Sequence, residues 1–208
     1  MKLGTTESTM ILNLLNQLDV QKCIDNSYKN HHAKGLNYIN LFRDPNLTIK
    51  LYFLDENVHK NLNSEGLLVM PHTHAYHFQT VVIYGAIRHV VYKEDKKLSG
   101  QHPWLSYKYD SRKEPQERFS APMVTGLTID SINTYNRGES YYVDPYMIHS
   151  LIPTQKSTCL ILFQYANQRT ITEFYQPVNS ELPKFDGIYE RFTPQEIVFF
   201  AKEVLKHI

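Results

Sequence analysis

One run constrains this chain more than any other: Pro71-His72-Thr73-His74-Ala75-Tyr76-His77-Phe78-Gln79-Thr80, continued by Val81-Val82-Ile83-Tyr84-Gly85. Two imidazoles two residues apart can grip one ion only where the backbone is extended. On a strand, residues i and i+2 share a face about 7 Å apart, whereas on a helix they point about 160° away from each other. The residues that follow are β-branched and aromatic, and Gly85 ends them, so the pattern predicts a strand. A third histidine, His149, follows a second extended segment, Gly138 to Val143. The first expectation is a mononuclear metal site in a β-barrel, with His72, His74 and His149 as its ligands.

The rest of the chain agrees with a barrel. Leu47 to Leu54 alternates and is joined to Asn37–Phe42 through Asp44-Pro45-Asn46, which reads as a hairpin turn. Arg88–Tyr92, Tyr107–Tyr109, Gly126–Asp130, Glu139–Val143, His149–Ile152 and Thr158–Tyr165 read as further short strands. Many short strands at close spacing indicate a sandwich or barrel rather than βαβ units. Ser8-Thr9 is expected to cap a helix over 9–24, with Ile11, Leu14, Leu15, Leu18 and Val20 as its apolar stripe. Thr193-Pro194-Gln195-Glu196 predicts the start of a last helix, whose face is Ile197, Phe200, Ala201, Val204 and Leu205.

Composition narrows the function classes. The chain has 208 residues, enough for a single domain with a full core, and its formal net charge is +1. No basic block or stripe speaks for nucleic acid or an anionic membrane surface. There is no run of about 18 apolar residues that would span a bilayer. The N-terminus lacks a secretory pattern, and Cys23 and Cys159 form neither a disulfide framework nor a zinc motif, so a cytoplasmic location is expected. No nucleophile elbow, phosphate loop or dinucleotide-binding glycine cluster is present.

With these residues placed, the chain resembles the cupin superfamily. His72, His74 and Gly85 fit its first motif, and Gly138 with His149 fits the spacing of its second. The resemblance implies an all-β fold, a double-stranded β-helix or jelly-roll barrel with flanking helices. Its expected parts are an N-terminal helical segment over 1–36, a barrel over 37–165 with an insertion around 93–122, and a C-terminal extension over 166–208 ending in a helix. Set by Gly85, the register puts Phe78 where many cupins carry a metal-binding glutamate. The remaining three-histidine set is similar to that of the thiol dioxygenases, the cysteine dioxygenase-like branch.

That likeness implies one divalent metal ion, Fe(II) first and Zn, Ni or Mn as alternatives. It also implies a small thiol or carboxylate substrate used with O₂. A non-catalytic ligand-binding cupin and a zinc-dependent hydrolase or lyase stay open beside it. His77 and Gln79 are candidates for a fourth ligand or for a residue that orients one. Tyr76, Phe78, Tyr84, Arg88, Tyr142, Arg43 and Lys50 are candidates for the substrate pocket. His89 and His102 read as surface or ligand-supporting residues, and His31, His32, His59 and His207 as plain polar positions. A homodimer would cover exposed sheet edges.

Overall fold

The computed structural model describes residues 5–31, 34–55, 66–95, 103–179 and 190–208; His32, His59 and His102 lie outside them. Two helices come first, α1 (Thr5–Asn16) and α2 (Val20–Asn26). The single helix expected over 9–24 is therefore split. Asp19 is extended, and its carboxylate accepts the Lys22 amide at 3.0 Å, an N-cap that starts a second helix.

Among the described residues ten strands follow: β1 (Leu36–Arg43), β2 (Leu47–Leu54), β3 (Tyr76–Tyr84), β4 (Ala86–Asp95), β5 (Pro103–Asp110), β6 (Met123–Asn136), β7 (Ser140–Val143), β8 (Ile148–Pro153), β9 (Thr158–Asn167) and β10 (Ile171–Pro177). They form two antiparallel five-stranded sheets in the orders β1-β2-β9-β3-β7 and β10-β5-β6-β4-β8. Most neighbours in space are distant in sequence, which is a jelly-roll arrangement. Helix α3 (Pro194–Leu205) closes the chain, with the expected capping box between Thr193 and Glu196.

Three boundaries differ from expectation. The stretch 93–122 carries β5, which sits inside the second sheet between β10 and β6. The sheet also continues past residue 165, because β10 pairs with β5 from Ile171↔Asp110 to Pro177↔Trp104. Strand β6 runs well beyond Gly126–Asp130 and follows β4 as far as Ala86↔Asn136.

The alternation of the first sheet divides the core. Ile49, Leu51, Phe53, Val81, Ile83, Ile161 and Phe163 face outward and are covered by Ile11, Leu15, Ile197, Ala201 and Val204 of the helices. The intervening Tyr52, Leu54, Phe78, Val82 and Leu160 face inward, toward Ile87, Tyr141 and Val143. Tight turns set the registers. In the β1–β2 hairpin the Asp44 carboxylate accepts the amides of Asn46 at 2.7 Å and Leu47 at 2.8 Å. Between β3 and β4, Gly85 has φ +80, and a Cβ there would stand 2.5 Å from the Ser157 carbonyl oxygen. Only glycine fits. Among the described residues no helix is long and apolar enough to cross a membrane.

Candidate metal centre

His72 and His74 do not lie on β3, as the pattern predicts, but on the extended segment just before it. This segment is clamped from both sides. His72 exchanges backbone hydrogen bonds with His149 on β8, both at 3.1 Å. On its other flank the Thr73 amide donates to the Glu173 carbonyl at 2.9 Å and the Tyr175 amide to the Pro71 carbonyl at 2.9 Å. Residues 71–74 thus join β8 to β10, the two edges of the second sheet, before the chain crosses at Ala75 into the first. The pairing that completes the barrel also sets His72 opposite His149.

The three rings converge. Their centroids are 4.6 Å apart for His72 and His74 and 5.0 Å from each of these to His149. One ligand atom from each ring lies within 4.8 Å of the others, and the Nε2 atoms of His74 and His149 are 2.8 Å apart. Two imidazole nitrogens bound at about 2.0–2.1 Å stand about 2.9 Å apart at a right angle and about 3.4 Å at a tetrahedral one. The donor set therefore fits a single divalent ion.

Hydrogen bonding prepares two of the rings. His72 Nδ1 lies 2.8 Å from the Met70 carbonyl, which can only accept, so Nδ1 carries the proton and the Nε2 lone pair is free. His149 Nδ1 lies 3.0 Å from His89 Nε2. With His149 Nε2 turned into the site, its Nδ1–H donates to His89. Protonation of both of these rings is opposed. Burial lowers the pKa of His72. Burial and then the neighbouring His72, His74 and His89 rings hold His149 well below its ordinary value. Neutral imidazole is the form that binds a metal.

The other expected residues divide into two sets. Phe78 is buried and stands edge-on to His74 at 4.8 Å, with Tyr76 tilted against the same ring at 5.3 Å. Lys50 shares the inward parity of Tyr52 and Leu54 on β2, and is 8% exposed. Arg43 is exposed, yet its charge opposes protonation of Lys50. The remaining candidates lie away from the imidazoles. His77 stacks on Tyr165 at 4.6 Å and its Nδ1 meets Gln168 Nε2 at 2.7 Å. Gln79 pairs across the sheet with Phe163 and shares its helix-facing side. A register shift between Val82 and Tyr84 turns Tyr84 outward onto His207. Arg88 and Tyr142 are exposed.

Two more residues border the site: His89, which the sequence left as either a surface or a ligand-supporting residue, and Tyr141, which it did not single out. His89 is 3% exposed, stacks on Tyr141 at 4.5 Å and carries the bond to His149. Burial brings its pKa down to about 4. Tyr141 rather than Tyr142 faces inward, packed also on Tyr135 at 4.9 Å. The signal was present for His89: it lies between the apolar Ile87 and Val91, on the inward parity of Ile87.

No family model matches the chain, and no curated protein matches it in sequence. Among solved structures it is similar to a hydroxypropylphosphonic acid epoxidase from S. wedmorenis, with 16% identity and a TM-score of 0.36 over 67% of this chain and 54% of that one. It is also similar to an RmlC-like cupin from Shewanella frigidimarina, with 12% identity and a TM-score of 0.36 over 68% and 85% of the two chains. KdgF from Halomonas sp. matches with 12% identity and a TM-score of 0.37 over 67% and 88%. The chain spans about half the length of the epoxidase it matches. These overlays are loose, so the jelly-roll assignment rests on the strand order and register of the chain itself.

Proposed function

We propose that this protein is a mononuclear metal-dependent enzyme, a non-heme Fe(II) dioxygenase that acts on a small anionic thiol or carboxylate substrate. The observation that carries the reading is the meeting of three imidazoles at one point, with the His74 and His149 Nε2 atoms 2.8 Å apart. Bound Fe(II) would supply the redox chemistry with O₂ that no side chain can perform. The chain's own part is positional. The Met70 carbonyl and His89 fix the His72 and His149 rings, while Phe78 and Tyr76 press on His74 and keep water from that side. Phe78 adds no negative charge where a carboxylate would. The ion therefore keeps its full charge, which favours an anionic substrate over a neutral one.

The test begins with metal content in protein purified without an affinity tag. Oxygen consumption by the Fe(II)-loaded protein is then followed across small thiols and carboxylates. One equivalent of metal and turnover with at least one substrate are expected, and His74→Ala should lose both. Metal uptake without O₂ consumption across a broad panel overturns the dioxygenase reading. Failure to take up any divalent ion overturns the metal centre and favours a ligand-binding cupin.

A further inference from the structure

The inward face of the first sheet carries a second polar cluster beside the imidazoles. Lys50 on β2 is 8% exposed, and among the described residues no carboxylate lies within ion-pair distance of its amine. It lies over the face of Tyr38, with the amine 5.2 Å from the ring centroid. Burial, aided by the Arg43 charge, lowers its pKa to about 8. A buried ammonium without a counter-ion is costly and rare in a folded chain.

Two buried amide groups beside it are also unsatisfied. Asn40 is 5% exposed, and among the described residues its Nδ2 has no hydrogen-bond partner; Gln164 Oε1 is buried and likewise has none among them. The strand registers put these groups together. Asn40 pairs directly with Lys50, so the two side chains share a face. Gln164 pairs with Thr48, two residues from Lys50, and on its other side with Phe78, which touches His74. Buried polar groups are ordinarily satisfied, so a lone amine, a free amide donor and a free acceptor on one interior wall leave room for a ligand's polar atoms.

The wall is continuous with the metal centre. Tyr76 lies against His74 at 5.3 Å, and its phenol is electrostatically coupled to Tyr38 and Arg43. Tyr38 in turn lies under Lys50 and 5.6 Å from Tyr52. Strands β2 and β3 are separated only by β9, and the registers set Lys50 across from Leu162 and Thr80, so Lys50 and Phe78 are about 12 Å apart on the diagonal of the sheet.

We infer that Lys50 and the Asn40 amide, buried side by side on the inner wall, bind the oxyanion end of the substrate, with Gln164 Oε1 accepting from a hydroxyl or ammonium group of the same molecule. This rests on the metal-enzyme reading of the three histidines and narrows it. The substrate is a short, bifunctional aliphatic molecule with an oxyanion at one end and a metal-binding heteroatom at the other. Arg43, exposed at the edge of this wall, adds positive charge that favours entry of an anion.

The test uses butyrate and propylphosphonate as probes, measured by calorimetry on the full chain, both metal-free and loaded with redox-silent Zn(II). Wild type is expected to bind one or both in either form, and the tighter of the two identifies the oxyanion as carboxylate or phosphonate. Lys50→Met should weaken probe binding at least tenfold while Zn(II) affinity measured without probe does not fall and rises as the neighbouring ammonium is lost, and Lys50→Arg should restore part of the loss in probe binding. Lys50→Met removes a buried unpaired charge and should melt no lower than wild type, which guards against misfolding as the cause. No binding of either probe, or equal binding by Lys50→Met, overturns the inference. Anion binding that depends on Lys50 in a protein unable to take up Zn(II) would instead sink the metal reading and leave the anion site standing.

Discussion

His89 should govern metal affinity without touching the metal. It accepts the Nδ1–H of His149 at 3.0 Å, at a position where His149 is 2% exposed and no water can take over. His89→Leu keeps much of the volume and removes the acceptor. A buried donor left unpaired costs about 1–3 kcal/mol. Partners that orient a metal-ligating imidazole are worth about 10–100-fold in affinity, or about 1.4–2.8 kcal/mol. The two ranges overlap near 2 kcal/mol, so affinity should fall about 30-fold. Competition for Zn(II) against a chromophoric chelator measures this directly. His89→Gln, which presents an amide oxygen to the same Nδ1–H, should recover most of it. If His89→Leu binds Zn(II) as tightly as wild type, the His149 ring is held by strand pairing and the Phe78 contact alone, and the supporting role assigned to His89 is wrong.

Acid should destabilise the metal-free protein. The folded-state pKa of His89, about 4, lies below its ordinary 6.5, so the unfolded chain binds more protons in that window and stability falls as pH drops through it. The full contribution, roughly 3 kcal/mol, is present above pH 6.5 and gone below 4, and the downward shifts of His72 and His149 act in the same direction. Equal urea midpoints at pH 7.5 and 5 would contradict it. Gly85→Ala should cost about 3 kcal/mol or more, since a positive φ alone costs about 1–2 and the new Cβ would meet the Ser157 carbonyl at 2.5 Å. Gly138→Ala is the control: its φ is +79 with nothing within 4 Å, so only the conformational part should be lost, and equal losses would refute the steric argument. Thr193→Ala removes one arm of the α3 capping box and should lower the urea-derived unfolding free energy by about 1 kcal/mol; no change would mean that packing alone holds the helix start.

What the sequence disclosed follows from how local each signal is. The β1–β2 hairpin and the start of α3 were legible because a turn and a cap are written in three or four adjacent residues. The break at Asp19 was missed because the apolar stripe continues across it. β10 was missed because its sequence Ile171-Thr172-Glu173-Phe174-Tyr175 shows no motif, and its place is decided by pairing with β5, more than 60 residues away in sequence. The metal-site histidines announced themselves by spacing, yet the reason given was incomplete. His72 and His74 are extended because β8 and β10 clamp their segment, not because β3 begins there. Parity also misled at Tyr84, where a register shift reverses the facing of the side chain. Lys50 was a pocket candidate by residue type alone, since only the registers of β1 and β9 reveal what surrounds it.

Charge links the two halves of the interior. Three imidazoles and the Phe78 ring give a divalent ion no compensation, and Lys50 stands on the adjoining wall with no acid partner among the described residues. At an effective dielectric constant near 20 and a separation on the order of 10 Å, a dication and an ammonium repel by about 3 kcal/mol. An oxyanion bound between them converts that repulsion into two attractions. Metal and anion should then each raise the other's affinity by the same factor, because coupling between binding sites is reciprocal. A carboxylate ligand in place of Phe78 would weaken that coupling by supplying the negative charge permanently. On the proposed reading its absence would leave the charge to be brought by the substrate, and a bound metal would reach its best-compensated state only with substrate present.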